Sequence, residues 1–394
     1  MKIAIWLEQN QNGGVDTHLR SLLQGWPSRA DVFTLFTNTC NYESALKLFD
    51  SNFQNHVELV EIKRKSQNTV LGQIRETFLL PLYLLSASVG ARKKLVAHGP
   101  FDAIIINNGS YPGSWATLGA LRAACREKIK SRLLLIHHQA SFHRPFLSSI
   151  ESMIDRRVFT WCTSVVAVSF ATRKSVIDRR KIDLTKTPIR VIHNGLPEIQ
   201  NITKGKLRSL VDATDSTYLV GIIGRVEPYK GIEELLRAVH LTDNTFKMNF
   251  RLVVIGECDP RYLKKLNELI KRLELTDYVS IVGFVDVNSY ELIIDLDLLV
   301  SVTQEFEGFG LTILEAMKVG TPVLATRVGG VTEFFDEGCG TLVRPGSISE
   351  IAEALIEIYG NQISARQRAE FAIKKSDRYS SHAMASAFYQ EIVI

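Results

Sequence analysis

The sequence predicts an α/β protein made of two Rossmann-like domains that face a central cleft. A chain of 394 residues is too long for one compact core, and its 45% hydrophobic residues are enough to build two. Short apolar runs rich in β-branched residues alternate with segments of helical periodicity, which is typical of parallel sheets covered by helices. The pattern occurs twice, before and after a polar segment at residues 193–205.

The candidate strands divide evenly between the two halves. The first half contains residues 2–7, 31–37, 101–107, 132–138, 164–169 and 189–194. The second half contains residues 218–224, 251–256, 279–284, 297–302, 321–326 and 340–344. Parallel sheets of this kind bind ligands beyond the carboxyl ends of their strands, so we expect the functional residues in the loops that follow these runs.

Charge is distributed unequally along the chain. Residues 1–197 carry 26 Lys and Arg against 14 Asp and Glu, a net +12, whereas residues 198–394 carry 21 against 28, a net −7. The basic half could attract an anionic membrane surface or an anionic acceptor, or it could be an ordinary solvated surface. Without a recognisable binding motif, we do not expect a nucleic-acid partner.

The cysteines and the N-terminus indicate the compartment. Five cysteines are scattered without zinc-ligand spacing, which predicts a reducing environment and no structural metal. Met1 leads directly into a strand-like run without the features of a signal peptide, so we expect a cytoplasmic protein that is either soluble or attached to the cytoplasmic face of a membrane. The cysteines are Cys40, Cys125, Cys162, Cys258 and Cys339.

A nicotinamide dehydrogenase is not predicted, because no GxGxxG motif follows the first strand. The nearest feature is the pair Gly13 and Gly14 before a candidate helix, and a plain turn would explain that pair equally well.

Two cations lie after the first strand of the second half. Arg225 directly follows the end of that strand. Lys230 comes just before a candidate helix whose apolar residues have helical spacing. A guanidinium can bind phosphate oxygens in a bidentate manner and an ammonium adds a point charge. Together the two side chains predict a diphosphate site.

Two carboxylates surround a predicted helix start in the stretch "EFEGFGLTILEAM". If a helix begins near Leu311, the amides of Gly310, Leu311 and Thr312 are unpaired donors that favour an anion. Glu307 lies before that site and Glu315 lies one turn inside the helix, an order that matches the sugar, diphosphate and ribose of a nucleotide sugar. The alternative interpretation is a turn followed by an exposed helical glutamate.

These residues also carry a resemblance to a known family. The stretches "GRVEPYKG" and "EGFGLTILEAMKVGTPVLAT" resemble those of retaining glycosyltransferases with the GT-B fold, in particular glycosyltransferase family 4. The spacing of Glu307 and Glu315 matches the E-x7-E element of that family, and "NGGVDTHL", "SVVAVSFATRKSV" and "VIHNGLP" extend the resemblance over most of the chain.

The resemblance implies a role for each matching residue. Arg225 and Lys230 would bind the diphosphate and stabilise the departing nucleotide, Glu307 would hold hydroxyls of the donor sugar, and Glu315 would hold the ribose hydroxyls. No metal would be required, and UDP is the nucleotide we expect. Backbone contacts to the donor would come from Gly14, Gly308, Phe309, Gly310 and Leu311.

The resemblance also implies residues on the acceptor side. His138 would lie near the reacting sugar, with His137 as the alternative, and His143 and Arg144 would contact the acceptor. Residues 1–196 would form the acceptor-binding domain and residues 197–375 the nucleotide-sugar-binding domain. Residues 376–394 would form a helix that packs back on the N-terminal domain.

An apolar stretch at residues 77–91 lies between Lys63–Lys65 and Arg92–Lys94. At 15 residues it is too short to span a bilayer. It could lie on an anionic membrane surface, or it could be an ordinary helix that covers its own sheet.

The sequence therefore predicts a retaining glycosyltransferase that moves a sugar from a UDP-sugar to a glycan or lipid-linked glycan acceptor, as in polysaccharide biosynthesis. Three alternatives remain open at this point. One is a glycoside hydrolase with Glu307 and Glu315 as its carboxylate pair, another is a silent nucleotide-sugar-binding partner of a glycosyltransferase complex, and the third is a nucleotide-sugar epimerase.

Overall fold

A computed structural model describes residues 1–8, 13–38, 55–62, 80–183, 188–199, 202–242, 246 and 249–393. Within these ranges the chain forms two compact units. Unit 1 consists of Met1–Pro197 and Tyr379–Ile394, and unit 2 consists of Glu198–Arg378. Each unit has its own buried hydrophobic core.

Unit 1 is built on a parallel sheet with strand order β3-β2-β1-β4-β5-β6-β7. Its strands are β1 (Lys2–Leu7), β2 (Val32–Asn38), β3 (Val57–Ile62), β4 (Ala103–Asn108), β5 (Ser131–Ile136), β6 (Ser164–Ala167) and β7 (Ile189–Val191). Its helices are α1 (Gly14–Gln24), α2 (Leu80–His98), α3 (Trp115–Arg126), α4 (Ser148–Trp161), α5 (Phe170–Arg180) and the last helix of the chain (Ser381–Val393).

Unit 2 repeats this arrangement with strand order β10-β9-β8-β11-β12-β13, again parallel. Its strands are β8 (Tyr218–Ile223), β9 (Phe250–Ile255), β10 (Val279–Gly283), β11 (Leu298–Ser301), β12 (Val323–Thr326) and β13 (Thr341–Val343). Its helices are α6 (Lys206–Leu210), α7 (Ile232–Leu241), α8 (Pro260–Arg272), α9 (Ser289–Ile293), α10 (Leu311–Val319), α11 (Ile348–Gly360) and α12 (Gln362–Ser376). The last helix of the chain is therefore α13.

The predicted fold class is confirmed, and all twelve predicted strands are present with shifts of a few residues at their ends. Strand β3, an edge strand beside β2, is not predicted from the sequence. Glu58 and Glu61 interrupt the apolar pattern of β3, since an edge strand needs no continuous apolar run. Glu58 instead accepts a 3.2 Å hydrogen bond from Thr34 of β2.

Helix α13 packs inside unit 1, against α1 and β5. The chain reaches it through Ser380, which forms a parallel bridge with Leu196. A Cβ atom on Gly195 would lie 2.1 Å from the Ser380 carbonyl oxygen, so this approach needs glycine. Phe388 of α13 is fully buried.

Helix α2 has one face buried against its own domain, and its Ala87 and Ser88 pack closely on Gly119 of α3. The basic residues Lys63–Lys65 and the first residues of the apolar stretch, 77–79, lie outside the described residues. Among the helices that the structure describes, none is long and apolar enough to cross a membrane.

Candidate functional site

The charged candidates of unit 2 lie at the carboxyl edge of its sheet. Strand β8 ends before Arg225 and the adjacent β11 ends before Thr303. The two loops are tied together because the Gln304 amide donates a 2.7 Å hydrogen bond to the Tyr229 carbonyl. Gln304 and Tyr229, 75 positions apart in sequence, thereby meet at one strand edge.

Gly231 allows this close approach. It has a φ of 77°, and a Cβ atom there would lie 2.0 Å from the Val302 carbonyl oxygen. Any larger residue would be strained in backbone conformation and would also clash with backbone. Gly231 thus fixes the position of the preceding Lys230 and the following α7.

Lys230 and Glu307 form an ion pair with 2.7 Å between Nζ and Oε2. Both side chains are largely withdrawn from solvent, at 23% and 17% exposure. Burial opposes the charge on Lys230, but the Glu307 carboxylate outweighs it and the pKa of Lys230 is raised. Thr303 adds a 3.4 Å contact to the same carboxylate oxygen.

Arg225 borders this pair and is more exposed. Its guanidinium makes a 2.8 Å ion pair with Glu227 and a 3.4 Å contact with the hydroxyl of Tyr229. Burial raises the pKa of Tyr229, so this hydroxyl stays neutral between the two cations. The sequence reading did not select Glu227, Tyr229 or Thr303, because their roles follow from contacts across the strand edge.

Helix α10 begins at Leu311, as predicted, after Gly310 with a φ of 102°. The loop before it is anchored by Phe309, which is buried and stacked on Phe334 with ring centroids 4.6 Å apart. The side chain of Phe309 is thus a core anchor, and only its backbone is available to a ligand.

A second backbone contact holds Glu307. The Gly330 amide donates a 2.8 Å hydrogen bond to the Glu307 carbonyl. A Cβ atom on the neighbouring Gly329, whose φ is 53°, would lie 2.0 Å from that oxygen. The two glycines after β12 therefore support the loop that carries the carboxylate.

Glu315 is almost fully buried, at 5% exposure, so the alternative of an exposed helical glutamate is wrong. Burial raises the pKa of Glu315 to about 7, with a hydrogen bond involving Ser289 acting in the opposite direction. Tyr290 lies nearby, and its buried hydroxyl has no hydrogen-bond partner in the described part of the chain. A buried carboxylate and an unsatisfied hydroxyl are groups that a polar ligand could satisfy.

In unit 1 the Gly13–Gly14 pair forms the start of α1. The Gly13 amide donates a 2.8 Å hydrogen bond to the side chain of Asp16, a residue that the sequence reading passed over. Gly14 is exposed and is the first residue of α1. Its amide belongs to the first turn of α1, where backbone amides have no acceptor within the helix.

His137 is buried after β5, and its Nε2 donates a 2.6 Å hydrogen bond to Oδ1 of Asn107 at the end of β4. His18 of α1 packs edge-on against it with ring centroids 4.6 Å apart. Burial lowers the pKa of His18 to about 3 and that of His137 well below its usual value. His138, the favoured candidate, is half-buried in the loop after the same strand.

The sequence reading missed Asn107 and His18. Both ring nitrogens of His18 lack a partner within the described residues. Its spacing of four from Leu22 puts it on the buried face of α1, and that spacing was the available signal.

His143 and Arg144 are held by carboxylates of α4. His143 Nε2 donates a 2.8 Å hydrogen bond to Asp155, and Arg144 Nε pairs with Glu151 at 2.5 Å. Arg180 of α5 is fully buried and binds both carboxylates, at 2.9 Å from Asp155 and 3.0 Å from Glu151. This network fixes the loop after β5 to two helices.

No group of three His, Cys, Asp or Glu side chains within the described ranges is arranged to hold a metal ion. In unit 2 the structure brings Lys230 and Glu307 into contact, with Arg225 beside Tyr229. In unit 1 it brings His137 against His18 and Asn107, and it holds His143 and Arg144 on the carboxylates of α4.

Two family models match the chain. The model "Glycosyltransferase Family 4" matches residues 12–198, and "Glycosyl transferases group 1" matches residues 207–375. Together they cover almost all of both units.

Two curated relatives are similar over part of their length. One is a D-inositol 3-phosphate glycosyltransferase of Corynebacterium jeikeium, 29% identical over 53% of this chain and 52% of the relative. Another is an alpha-1,3/1,6-mannosyltransferase of Saccharomyces cerevisiae, 30% identical over 34% of this chain and 32% of the relative. The first relatives are thus matched over about half of their length.

Among solved structures, Anabaena HepE in complex with UDP and glucose matches with a TM-score of 0.75 and 22% identity, covering 100% of this chain and 99% of HepE. The sucrose-phosphate synthase of Thermosynechococcus elongatus also has a TM-score of 0.75, with 18% identity and coverage of 99% and 97%. At these identities the likeness concerns the fold.

Proposed function

The chain belongs to the glycosyltransferases of the GT-B fold, with a family 4 domain followed by a group 1 domain, and from this premise we propose its reaction. We propose that it is a retaining glycosyltransferase. It transfers a sugar from a nucleotide diphosphate sugar, a UDP-sugar, to a hydroxyl of a glycan or lipid-linked glycan.

The observation that carries this proposal is the partly buried Lys230–Glu307 pair at the carboxyl edge of the unit 2 sheet, before the start of α10. A cation and helix-terminal amides suit a diphosphate, and a carboxylate suits sugar hydroxyls. HepE, which shares the fold, was solved with UDP and glucose.

In the proposed reaction, Lys230 and Arg225 bind the diphosphate and stabilise the negative charge that grows on it as the bond to the sugar breaks. The amides from Gly308 to Leu311 add donors in the same loop. Because charged side chains supply this stabilisation, the proposed mechanism uses no bound metal.

Glu307 would hold hydroxyls of the donor sugar, and Glu315 would hold the ribose hydroxyls. Donor binding would supply the partner that the Tyr290 hydroxyl lacks within the described residues, and it would add polar contacts to the buried Glu315. The pKa of about 7 for Glu315 implies that donor binding strengthens as this carboxyl ionises.

Retention would follow from attack on the same face that the nucleotide leaves. The acceptor oxygen forms a bond to the anomeric carbon while the bond from that carbon to the phosphate oxygen breaks. The acceptor proton passes to a phosphate oxygen of the departing UDP, so no proton is left over.

Unit 1 would bind the acceptor, with Gly14 leaving room for the donor. His138 would lie near the reacting sugar, and His137 would stay neutral in its hydrogen bond with Asn107. His143 and Arg144 would reach the acceptor from the loop that Asp155 and Glu151 hold.

A glycoside hydrolase is less well supported. Its acid and base need access to one glycosidic bond, but Glu307 is paired with Lys230 and Glu315 is buried in α10. A hydrolase mechanism would also give Arg225 and Lys230 no role.

The test is to incubate the protein with UDP-sugars and candidate acceptors, and to measure both UDP release and the anomeric configuration of the product by NMR. Acceptor-dependent UDP release with a retained configuration is expected, and Glu307→Ala should lower it. An inverted product would contradict retention. Donor binding without UDP release for any acceptor would instead indicate the silent binding partner.

A further inference from the structure

A cavity of about 320 Å³ lies at the amino edge of the unit 2 sheet. Its lining includes Tyr218, the first residue of β8, and Asp297 and Pro322, which come just before β11 and β12. Because the strands are parallel, Lys230 and Glu307 lie at the opposite edge, about 20 Å away along the length of β8. The cavity is thus separate from the candidate donor site, and we call it the amino-edge cavity.

Two cationic side chains line the amino-edge cavity. Lys204 and Arg366 are exposed, and within the described residues neither forms a hydrogen bond or an ion pair. The described lining contains one carboxylate, Asp297, which accepts a 2.7 Å hydrogen bond from Arg208 and a 2.8 Å hydrogen bond from the Leu219 amide. The cavity therefore presents uncompensated positive charge in the half of the chain that carries a net −7.

A buried tyrosine adds an unsatisfied donor to this lining. Tyr218 is 5% exposed, and its ring packs edge-on against Tyr359 with centroids 5.0 Å apart. Its hydroxyl has no hydrogen-bond partner in the part of the chain that the structure describes. Burial and the Asp297 charge raise the pKa of Tyr218 while the Arg366 charge opposes them, so the hydroxyl keeps its proton and lies within range of both charged groups of the lining. A buried hydroxyl without a partner is a group that a polar ligand could satisfy.

The first turn of α12 completes the lining with Gln362, Ala365 and Arg366. Asn361 caps the Ser364 amide at 3.3 Å, and the earlier amides of the turn have no acceptor within the helix. The positive end of the helix dipole therefore adds to the two cations. A guanidinium, an ammonium, a hydroxyl donor and a helix N-terminus together suit a phosphate group.

We propose that the amino-edge cavity binds a small phosphate ester, with the phosphate between Lys204 and Arg366 and the Tyr218 hydroxyl donating to it. The volume lies at the lower end of the range for small-molecule sites and is larger than a phosphate ion alone would fill. The side-chain amide of Gln362 offers a donor and an acceptor to hydroxyls of the esterified part.

The test is calorimetric titration of the full chain with ribose 5-phosphate, with ribose and inorganic phosphate as comparison ligands. Ribose 5-phosphate should bind more tightly than inorganic phosphate, and ribose should not bind. Lys204→Gln/Arg366→Gln should weaken the binding of ribose 5-phosphate by about 100-fold or more, because two charge-assisted contacts are lost. Tyr218→Phe keeps the ring and should weaken it by about tenfold.

Two control variants keep this cavity distinct from the rest of unit 2. Arg225→Gln/Lys230→Gln removes the cations of the candidate donor site at the opposite edge. Lys264→Gln/Arg272→Gln removes an exposed lysine and an exposed arginine of α8. Neither control should change the affinity for ribose 5-phosphate. Thermal unfolding of each variant verifies that it is folded.

The proposal would be overturned if ribose 5-phosphate did not bind at concentrations up to about 10 mM, which covers weak small-molecule sites. Binding that is lost in Arg225→Gln/Lys230→Gln but kept in Lys204→Gln/Arg366→Gln would overturn it in favour of the donor site. Equal affinities for ribose 5-phosphate and inorganic phosphate would overturn the assignment to a phosphate ester.

Discussion

The two units share the order of six strands, to which unit 1 adds a seventh, but they have different chemistry at the carboxyl edges of their sheets. In unit 2 the edge carries ion pairs, with Lys230 bound to Glu307 and Arg225 bound to Glu227. In unit 1 the corresponding edge carries the neutral contact of His137 with Asn107. The same backbone plan therefore supports ion pairs in one unit and a buried histidine–asparagine contact in the other.

This difference separates two tasks that sugar transfer needs. In the proposed reaction, Arg225 and Lys230 of unit 2 would supply the positive charge that a diphosphate requires. A reacting sugar and an acceptor hydroxyl require shape and hydrogen bonds, which His137 and Asn107 of unit 1 would supply in the same proposal without a competing charge. The predictions below test whether the units can be altered independently.

The largest effect is expected from Lys230→Gln. It should lower turnover by about 100-fold or more, because a positive charge at the departing diphosphate is lost and Glu307 is left without its partner. Steady-state UDP release measures this loss. Lys265→Gln, which removes an exposed lysine paired with Glu233, is the control. Equal turnover in both variants would show that Lys230 does not act on the diphosphate.

Asn107→Ala should alter the function of unit 1 without altering that of unit 2. We expect turnover to fall by about tenfold, because the hydrogen bond that orients His137 is lost, while UDP affinity in unit 2 stays unchanged. Kinetics and calorimetric titration with UDP measure the two quantities. A parallel loss of UDP affinity would mean that the edge of unit 1 also determines nucleotide binding.

Because of Glu315, unit 2 should become less stable as pH rises. Its folded pKa of about 7 lies above the usual value of 4.5, so the folded state holds the proton more tightly between those values. The free energy of unfolding of unit 2 then falls between about pH 4.5 and 7. Glu315→Gln should equal the unaltered protein near pH 4.5 and exceed it by about 1 to 3 kcal/mol at pH 8.

Urea unfolding followed by far-UV circular dichroism at both pH values checks this prediction. If Glu315→Gln were destabilised equally at both, the carboxyl would not carry the pH dependence.

His18 should give unit 1 the opposite pH response. Its folded pKa of about 3 lies below the usual 6.5, so the unfolded state binds the proton more tightly and stability falls as pH drops from 6.5 toward 3. We expect a loss of about 1 to 2 kcal/mol between pH 7.5 and pH 5. His18→Phe should reduce that loss.

Tryptophan fluorescence isolates this effect, because all four tryptophans belong to unit 1: Trp6, Trp26, Trp115 and Trp161. An unchanged pH slope in His18→Phe would assign the acid sensitivity to other groups, His137 among them.

The sequence was most informative where the signal was local. Apolar runs predicted the strands, and the glycine before Leu311 predicted the start of α10. It was less informative where a side chain's role depends on distant residues. Lys230 and Glu307 could be selected as polar residues after strands, but their contact follows from the adjacency of β8 and β11.

The same limit applies to unit 1. His143 and Arg144 stand in a loop whose sequence does not reveal their carboxylate partners on α4 or the buried Arg180 that joins them. Burial decides the pKa of His18, and burial depends on the packing of α13 from the far end of the chain. Such contacts are set by topology, which the local pattern does not encode.

The most direct test of the donor site is thermal unfolding of the protein against UDP-, GDP-, ADP- and dTDP-sugars, with Glu315→Ala as the control. A ligand that binds only the folded state stabilises it by about 2.7 kcal/mol at a hundredfold excess over its Kd. We expect a rise in Tm with UDP-sugars that is lost in Glu315→Ala. No rise with any nucleotide sugar, or an equal rise in the variant, would contradict the donor site in unit 2.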